Sequence, residues 1–553
     1  MKRLSPRILG FILCTALSLA QDRKVAKDFQ SLDPQSNADV IVQFTQTPGA
    51  AQHKKVTDRG GTVKSTLSVV KAGSYTLPAS AINDLANDPE VVYISPDRKL
   101  KGMLDNTTAA VNAAAAWNSG YTGAGVGIAV IDSGVTTNAD LSGSAVVYNY
   151  SYVNNDFHDY YGHGTHVAGI IAGTGYRSHC SQCFRNLQGV APGSQIINIR
   201  VLDQNGDSTD STVIRAINQV ISLKSTYNIR VLNLSLGRPV FESYTQDPLC
   251  QAVEAAWKAG IVVVAAAGNY GRDNSAGNNG YGTILAPGND PYVITVGAMN
   301  TVGTPSRTDD KMTSYSSKGP TAIDHIVKPD LVAPGNQVVS LFSSTGSLPN
   351  SYPANNMPMS YFQNYAGNGA SNLYFMLSGT SMATPVVSGA VALLLQAHPS
   401  LTPDQVKARL MLTAYKALPE TMTATDPTTS VVYTMQADAF TVGAGYLDIA
   451  AALASTATFS GSANSPVATF NSANGANGIV CGSASICSVT AADSVWTVSS
   501  VWGNSSVWGN SPIWAEKAVW GTKAVWGTSS VLASGAATAD SAESLPITIN
   551  GEN

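Results

Sequence analysis

Residues 104–455 are predicted to form an α/β domain on a doubly wound, mostly parallel sheet, and two observations predict it. The first is a series of short, largely apolar runs at 126–131, 196–202, 231–236, 261–267 and 293–296. Unbroken hydrophobicity over so few residues suits strands covered on both faces. The second lies between those runs. Val213, Ile214, Ile217, Val220 and Ile221 recur at helical spacing, and 249–259 is another helix candidate. Strands alternating with helices give a parallel sheet, whose ligands bind beyond the carboxyl ends of the strands. A late helix opens at Thr402-Pro403-Asp404-Gln405, with a capping threonine, a first-turn proline and a glutamine three residues on. Gly123-Ala124-Gly125-Val126-Gly127 precedes its strand instead of following it, which excludes a nucleotide-binding loop.

The flanks have different character. Residues 1–20 carry Lys2, Arg3 and Arg7, then an apolar run, then Ser18-Leu19-Ala20, the pattern of a secretory signal. Residues 21–103 read as a small α+β module: strands at 39–44, 66–77 and 91–95, and a helix at 79–85 with Pro89 beyond it. From residue 456 to 553 the chain turns to Ala, Ser, Asn, Gly and Thr. There Trp496, Trp502, Trp508, Trp514, Trp520 and Trp526 fall at intervals of six. Six is a multiple of the strand period and not of the helical one, so the tail is either a β-type array or a low-complexity linker. Six indoles are also far more apolar area than a solvated linker exposes, which suggests attachment to a cell surface or an insoluble polymer.

Composition narrows the functional classes. Hydrophobic residues are 44% and charged residues 12% of the chain, enough for a large core. The net charge of −4 offers no basic surface for nucleic acid. After the leader, no stretch is expected to be apolar enough to cross a membrane. Cys180, Cys183, Cys250, Cys481 and Cys487 follow the leader; 180/183 and 481/487 are candidate local disulfides, and one cysteine is left over.

The chemistry gathers around Leu377-Ser378-Gly379-Thr380-Ser381-Met382-Ala383-Thr384-Pro385. An apolar run follows, and Pro385 is expected within the first turn of its helix, where a missing N–H costs nothing. Ser381 then stands at a helix N-terminus. On its own that serine is an ordinary cap; with a base and an orienting carboxylate it is a nucleophile. Asp132, in Val130-Ile131-Asp132-Ser133-Gly134, and His163, in Gly162-His163-Gly164-Thr165-His166, supply both upstream. His163 and His166 are also spaced to share a metal, but the glutamate of a His-Glu-x-x-His site is missing. Asn269, in Ala265-Ala266-Ala267-Gly268-Asn269, carries an amide that suits an oxyanion.

The order Asp, His, Ser is that of the subtilisin fold, and these segments, with Lys328-Pro329-Asp330-Leu331-Val332-Ala333-Pro334-Gly335, resemble the signatures of the subtilisin-like serine proteases. The resemblance implies a secreted endopeptidase acting on peptide or protein substrates through an Asp132–His163–Ser381 triad and an Asn269 oxyanion hole. It implies His163 over His166 as the base, with His166 a packed neighbour. It places Ser235-Leu236-Gly237 on one wall of the specificity pocket and Ala266-Ala267-Gly268 on the other, a wide apolar slot. It makes 21–103 an inhibitory propeptide and folding template, removed by self-cleavage. No cofactor is implied, and calcium is left unsupported because Cys180 and Cys183 occupy the region, 175–187, where some relatives carry a calcium loop. Residues 343–374 resemble an insertion beside the groove. All of this chemistry precedes Ser455, so the tail is expected to be dispensable for it. The competing class is a non-catalytic, surface-displayed binding protein on the same fold.

Overall fold

The computed structural model describes residues 24–26, 29, 36–68, 71–96, 105–141, 145–275, 277–364, 369–471, 476–480 and 545–552. The expected leader, the Trp repeats and Cys481 and Cys487 lie outside them. The chain divides into two compact units, Met1–Lys101 and Gly102–Asn553.

In the first unit, β1 (Asn37–Phe44) turns Val40, Val42 and Phe44 inward at the strand period. The helix α1 (Ala50–Thr57) follows. The single strand expected at 66–77 is instead two, β2 (Thr62–Leu67) and β3 (Ala72–Pro78), paired antiparallel. Lys71, at φ 50°, begins the return. Helix α2 (Ile82–Ala86) and β4 (Val91–Pro96) complete an antiparallel sheet in the order β2-β3-β1-β4.

The second unit is organised by a larger sheet. Its strands are β5 (Gly127–Asp132), β6 (Val146–Ser151), β7 (Gln195–Arg200), β8 (Ile229–Leu234), β9 (Val262–Ala266), β10 (Ile294–Asn300), β11 (Lys311–Met312) and β12 (Leu331–Pro334). The order is β11-β10-β9-β8-β5-β7-β6, with β12 also on β10; only β11 runs antiparallel. All six residues of β5 are buried, as the unbroken apolar run requires. Its neighbours β7 and β8 connect away in opposite directions, so β5 marks the switch point where a cleft opens. Helices α3 (His163–Ala172), α4 (Asp210–Leu223), α5 (Pro248–Lys258), α6 (Thr380–Ala397) and α7 (Pro403–Thr413) pack around it. Thr402 and Gln405 form the reciprocal cap their spacing predicts.

Two expectations are corrected here. Helix α6 is 18 residues long, with a mean hydropathy of 1.4, which by composition alone would suit a membrane. It is apolar all round because it is a core helix, packed between α3 and the strands β8 to β10. Nor does the folded body end at Ser455: Phe459, Ala463 and Ala468 are buried in it, and so are Ile547, Ile549 and Glu552 near the chain end. The tail returns to the domain it leaves because its apolar side chains find seats there.

Lys328 and Asp330, from the late proline-glycine segment, meet Lys407 of α7 in the core. Lys328 Nζ donates to Asp330 Oδ2 at 2.7 Å and Lys407 Nζ lies 3.1 Å from Oδ1. Burial would raise the Asp330 carboxyl, but the two ammonium charges hold it below its ordinary value. Substituting Asp330→Asn, in a Ser381→Ala background that prevents self-digestion, is expected to cost about 3 kcal/mol, because two buried cations lose their counter-charge. Urea unfolding measures it, and a midpoint equal to the parent's would mean the cluster contributes nothing.

Candidate active site

Asp132 is the last residue of β5, and His163 the first of α3. His163 Nδ1 lies 2.8 Å from Asp132 Oδ1 and 3.0 Å from Oδ2, so Nδ1 carries the proton and Nε2 is left free. Close approach of α3 to β5 makes this possible. A Cβ on Gly164 would sit 2.2 Å from the Gly134 carbonyl oxygen, so only glycine fits after the histidine. Behind the pair lies Asp159, which no sequence pattern singled out. Fully buried, it accepts from the Gly162 and Thr165 amides at 2.7 and 2.8 Å, holding the start of α3. Ser133 Oγ donates to it at 2.8 Å and accepts from the Gly164 amide. The only available signal was an aspartate a few residues ahead of a helix start.

Burial alone would lower the His163 pKa; the charge and hydrogen bond of Asp132 outweigh it and hold the imidazole above its ordinary value. His166 differs. Its Nε2 donates to the Val338 and Phe375 carbonyls, both at 3.1 Å, and burial with no acidic partner pushes it down to about 3. It is a neutral core residue.

Ser381 is the second residue of α6, and Pro385 therefore lies past the first turn, contrary to expectation. A proline there leaves the carbonyl four residues back, that of Ser381, without its helical donor. Ser235, just past the end of β8, replaces it: Ser235 Oγ donates to Ser381 O at 2.8 Å. In return the Ser381 hydroxyl donates to Ser235 O at 3.1 Å, its resting partner. Ser235 is itself fixed through Asn233, whose amide donates to Ser235 Oγ at 3.0 Å and whose Oδ1 accepts from Ser388 of α6.

Asn269 lies three residues past β9. Its Oδ1 accepts the Thr380 amide at 2.9 Å. Since that amide can only donate, Oδ1 must face it, and the Asn269 NH₂ is the end presented to the cleft. The Ser381 amide, at the helix start, is the second donor of this kind.

His163, Asn269 and Ser381 line one cleft of about 410 Å³. Ser235, Leu236, Gly237, Ala266 and Gly268 line it as well. Ala267 does not line it. Just past the end of β9, its side chain is fully buried. Leu285 takes a place in the wall that sequence reading missed; a Cβ on Gly268 would come within 2.7 Å of it. Thr548, from the chain end, also lines the cleft. Cys180 and Cys183 form a disulfide, and Cys250 is a buried free thiol. Among the described residues, no three His, Cys, Asp or Glu side chains gather to hold an ion.

Residues 123–445 match the model of the Subtilase family. The chain belongs to that family. It is 36% identical over 358 residues to serine protease AprX of Bacillus subtilis (strain 168), covering 63% of this chain and 75% of that one. It is 32% identical over 382 residues to subtilisin E of the same strain, covering 68% and 84%. A solved cold-adapted subtilisin-like serine proteinase aligns at 31% identity over 54% of this chain and 85% of that one, with a TM-score of 0.39. This subtilase is a serine-type endopeptidase acting on peptide or protein substrates.

The two buried histidines are expected to titrate far apart. By NMR of the imidazole protons, the His163 midpoint falls above 6.5, and His166 stays neutral at pH 5. Midpoints in the reverse order would overturn the assignment of the Asp132 partner.

Proposed function

We propose that this subtilase cleaves peptide bonds through an acyl-enzyme formed on Ser381. Ser381 Oγ turns from the Ser235 carbonyl to His163 Nε2, which takes its proton as the hydroxyl attacks. Asp132 holds the Nδ1–H tautomer and stabilises the imidazolium. The oxyanion is met by the Asn269 amide and the Ser381 N–H, and His163 then protonates the leaving amine. The observation that carries this reading is the convergence of a paired Asp132–His163, Ser381 and an oriented Asn269 amide on one cleft. The walls formed by Leu236, Ala266, Gly268 and Leu285 favour large apolar side chains at the cleaved position, with broad tolerance.

The order of events in the cell follows from the flanks. The leader directs secretion. The first unit acts as an intramolecular inhibitor and folding template, and the enzyme cuts it away itself; a sheet rich in non-local contacts gains most from such a template. The Trp repeats attach the mature enzyme to a cell surface or polymer.

Asn269→Ala is expected to lower kcat and leave KM nearly unchanged. Loss of one oxyanion donor in a subtilisin relative costs about 2.7–4 kcal/mol. A kcat within about threefold of the parent's, roughly 0.7 kcal/mol, would remove Asn269 from the mechanism.

Ser381→Ala is expected to accumulate as an uncut chain that a fluorophosphonate does not label. Normal maturation of the pure variant would show that another protease performs the cut.

Deleting only residues 490–530 is expected to leave hydrolysis of a short peptide unchanged while the enzyme is lost from its solid phase. Unchanged retention would favour the linker reading of the repeats.

A further inference from the structure

The chain end is built into the domain next to the nucleophile. Residues 545–550 form a helical segment whose Ile547 and Ile549 are buried. Gly551, at φ 62°, turns the chain so that Glu552 enters the interior. A Cβ on Gly551 would come within 2.5 Å of Ser378 Oγ and 2.6 Å of Asn336 Oδ1, so both the turn and the approach demand glycine.

Glu552 is fully buried and satisfied at both ends. Its carboxylate accepts from the Ser314 amide at 2.7 Å, Ser314 Oγ at 2.5 Å and Arg272 Nη2 at 2.9 Å. Its backbone N–H donates to Asn336 Oδ1 at 2.9 Å, and its carbonyl accepts from Asn336 Nδ2 at 2.7 Å and Asn300 Nδ2 at 3.2 Å. Arg272 is itself buried and pairs with Asp426 as well. Asn355 Nδ2 donates to the Ile549 carbonyl at 2.6 Å. Arg272, Asn300, Ser314, Asn336 and Asn355 are thus all committed to residues 545–552.

The segment reaches the catalytic serine through its loop. The Ser378 amide, three residues before Ser381, donates to Thr548 O at 2.8 Å. Ser378 Oγ accepts from the Gln337 amide at 2.8 Å, and Gly551 closes over it. Thr548 stands in the cleft wall with His163 and Ser381.

We propose that the groove formed by Arg272, Asn300, Ser314, Asn336 and Asn355 is a binding site for the chain's own terminal peptide, and that the seated peptide positions the Ser378–Ser381 loop. Glu552 is the anchor, Gly551 the fitting element, and Thr548 the contact that holds Ser378. Without the peptide, the Ser378 amide loses its acceptor and the loop that presents the nucleophile relaxes. The buried Arg272 and the asparagines are left facing an open groove. Thr548 and Glu552 are positioning residues; neither meets the reacting atoms.

The proposal rests on Ser381 as nucleophile, and the test keeps the two apart. The full chain, matured, is compared with its Gly551→Ala and Glu552→Ala variants and with a chain ending at Ser544. Each is assayed for kcat and KM on a short peptide and for the rate of Ser381 labelling by a fluorophosphonate. Failure of the parent to label at Ser381 would overturn the nucleophile assignment itself. With a labelled parent, kcat and the labelling rate are expected to fall roughly ten- to a hundredfold in the variants, the scale of a misplacement of about 1 Å, with KM within about twofold. A synthetic peptide of residues 545–553 added to the shortened chain is expected to restore both rates; the same peptide carrying Glu552→Ala is not. Parent-like kcat in the folded variants would overturn the proposal. So would a shortened chain that has lost its near-ultraviolet circular dichroism and gains no activity from the peptide, since the segment would then serve folding alone.

Discussion

A carboxylate that is 1% exposed must be surrounded by donors, and the way Asp132 is surrounded fixes much of the cleft. The Ser133 amide and His163 Nδ1 both point at it, and Ser133 Oγ, whose proton goes to Asp159, lies 3.2 Å from it. To reach it, His163 must begin a helix whose first turn lies against the end of β5. That contact requires glycine at 164 and a second buried acid, Asp159, to hold the turn's free amides. Two acids linked by one serine are stable only because each oxygen has a hydrogen-bonded neighbour. The raised affinity of His163 for a proton follows from the same arrangement.

On the opposite side of the cleft the constraint is a missing hydrogen. Pro385 frees the Ser381 carbonyl, and the Ser235 hydroxyl closes the gap, so one proline in the helix ties the Ser381 backbone to Ser235 of the cleft lining. The exchange in the other direction parks the Ser381 hydroxyl on Ser235 O. Helix α6 is buried along nearly its whole length between α3 and the sheet.

What the sequence made legible follows its periodicities and its punctuation. The apolar runs at 126–131 and 261–267 became β5 and β9 because strands buried on both faces leave little choice of register. Asp132 and Asn269 were readable because they follow such runs, and His163 and Ser381 because glycine-flanked helix starts are conspicuous. Ala267 was misread for a local reason: membership of a segment does not say which of two alternate faces a side chain takes. Leu285 and Asp159 were missed because their roles come from contacts distant in the chain or from no recognisable spacing. The hairpin at Lys71 was missed because β-branched content continues across the turn.

The chain end shows the same limit of local reading most sharply. Glycine and glutamate at 551 and 552, after a long low-complexity stretch, look like a solvated terminus. Their meaning lies in five side chains spread from Arg272 to Asn355, and three of those are asparagines. Asparagine offers a donor and an acceptor on one short stem, and Asn336 uses both on the Glu552 backbone, as a neighbouring strand would. A groove of this kind recognises backbone first and one carboxylate second.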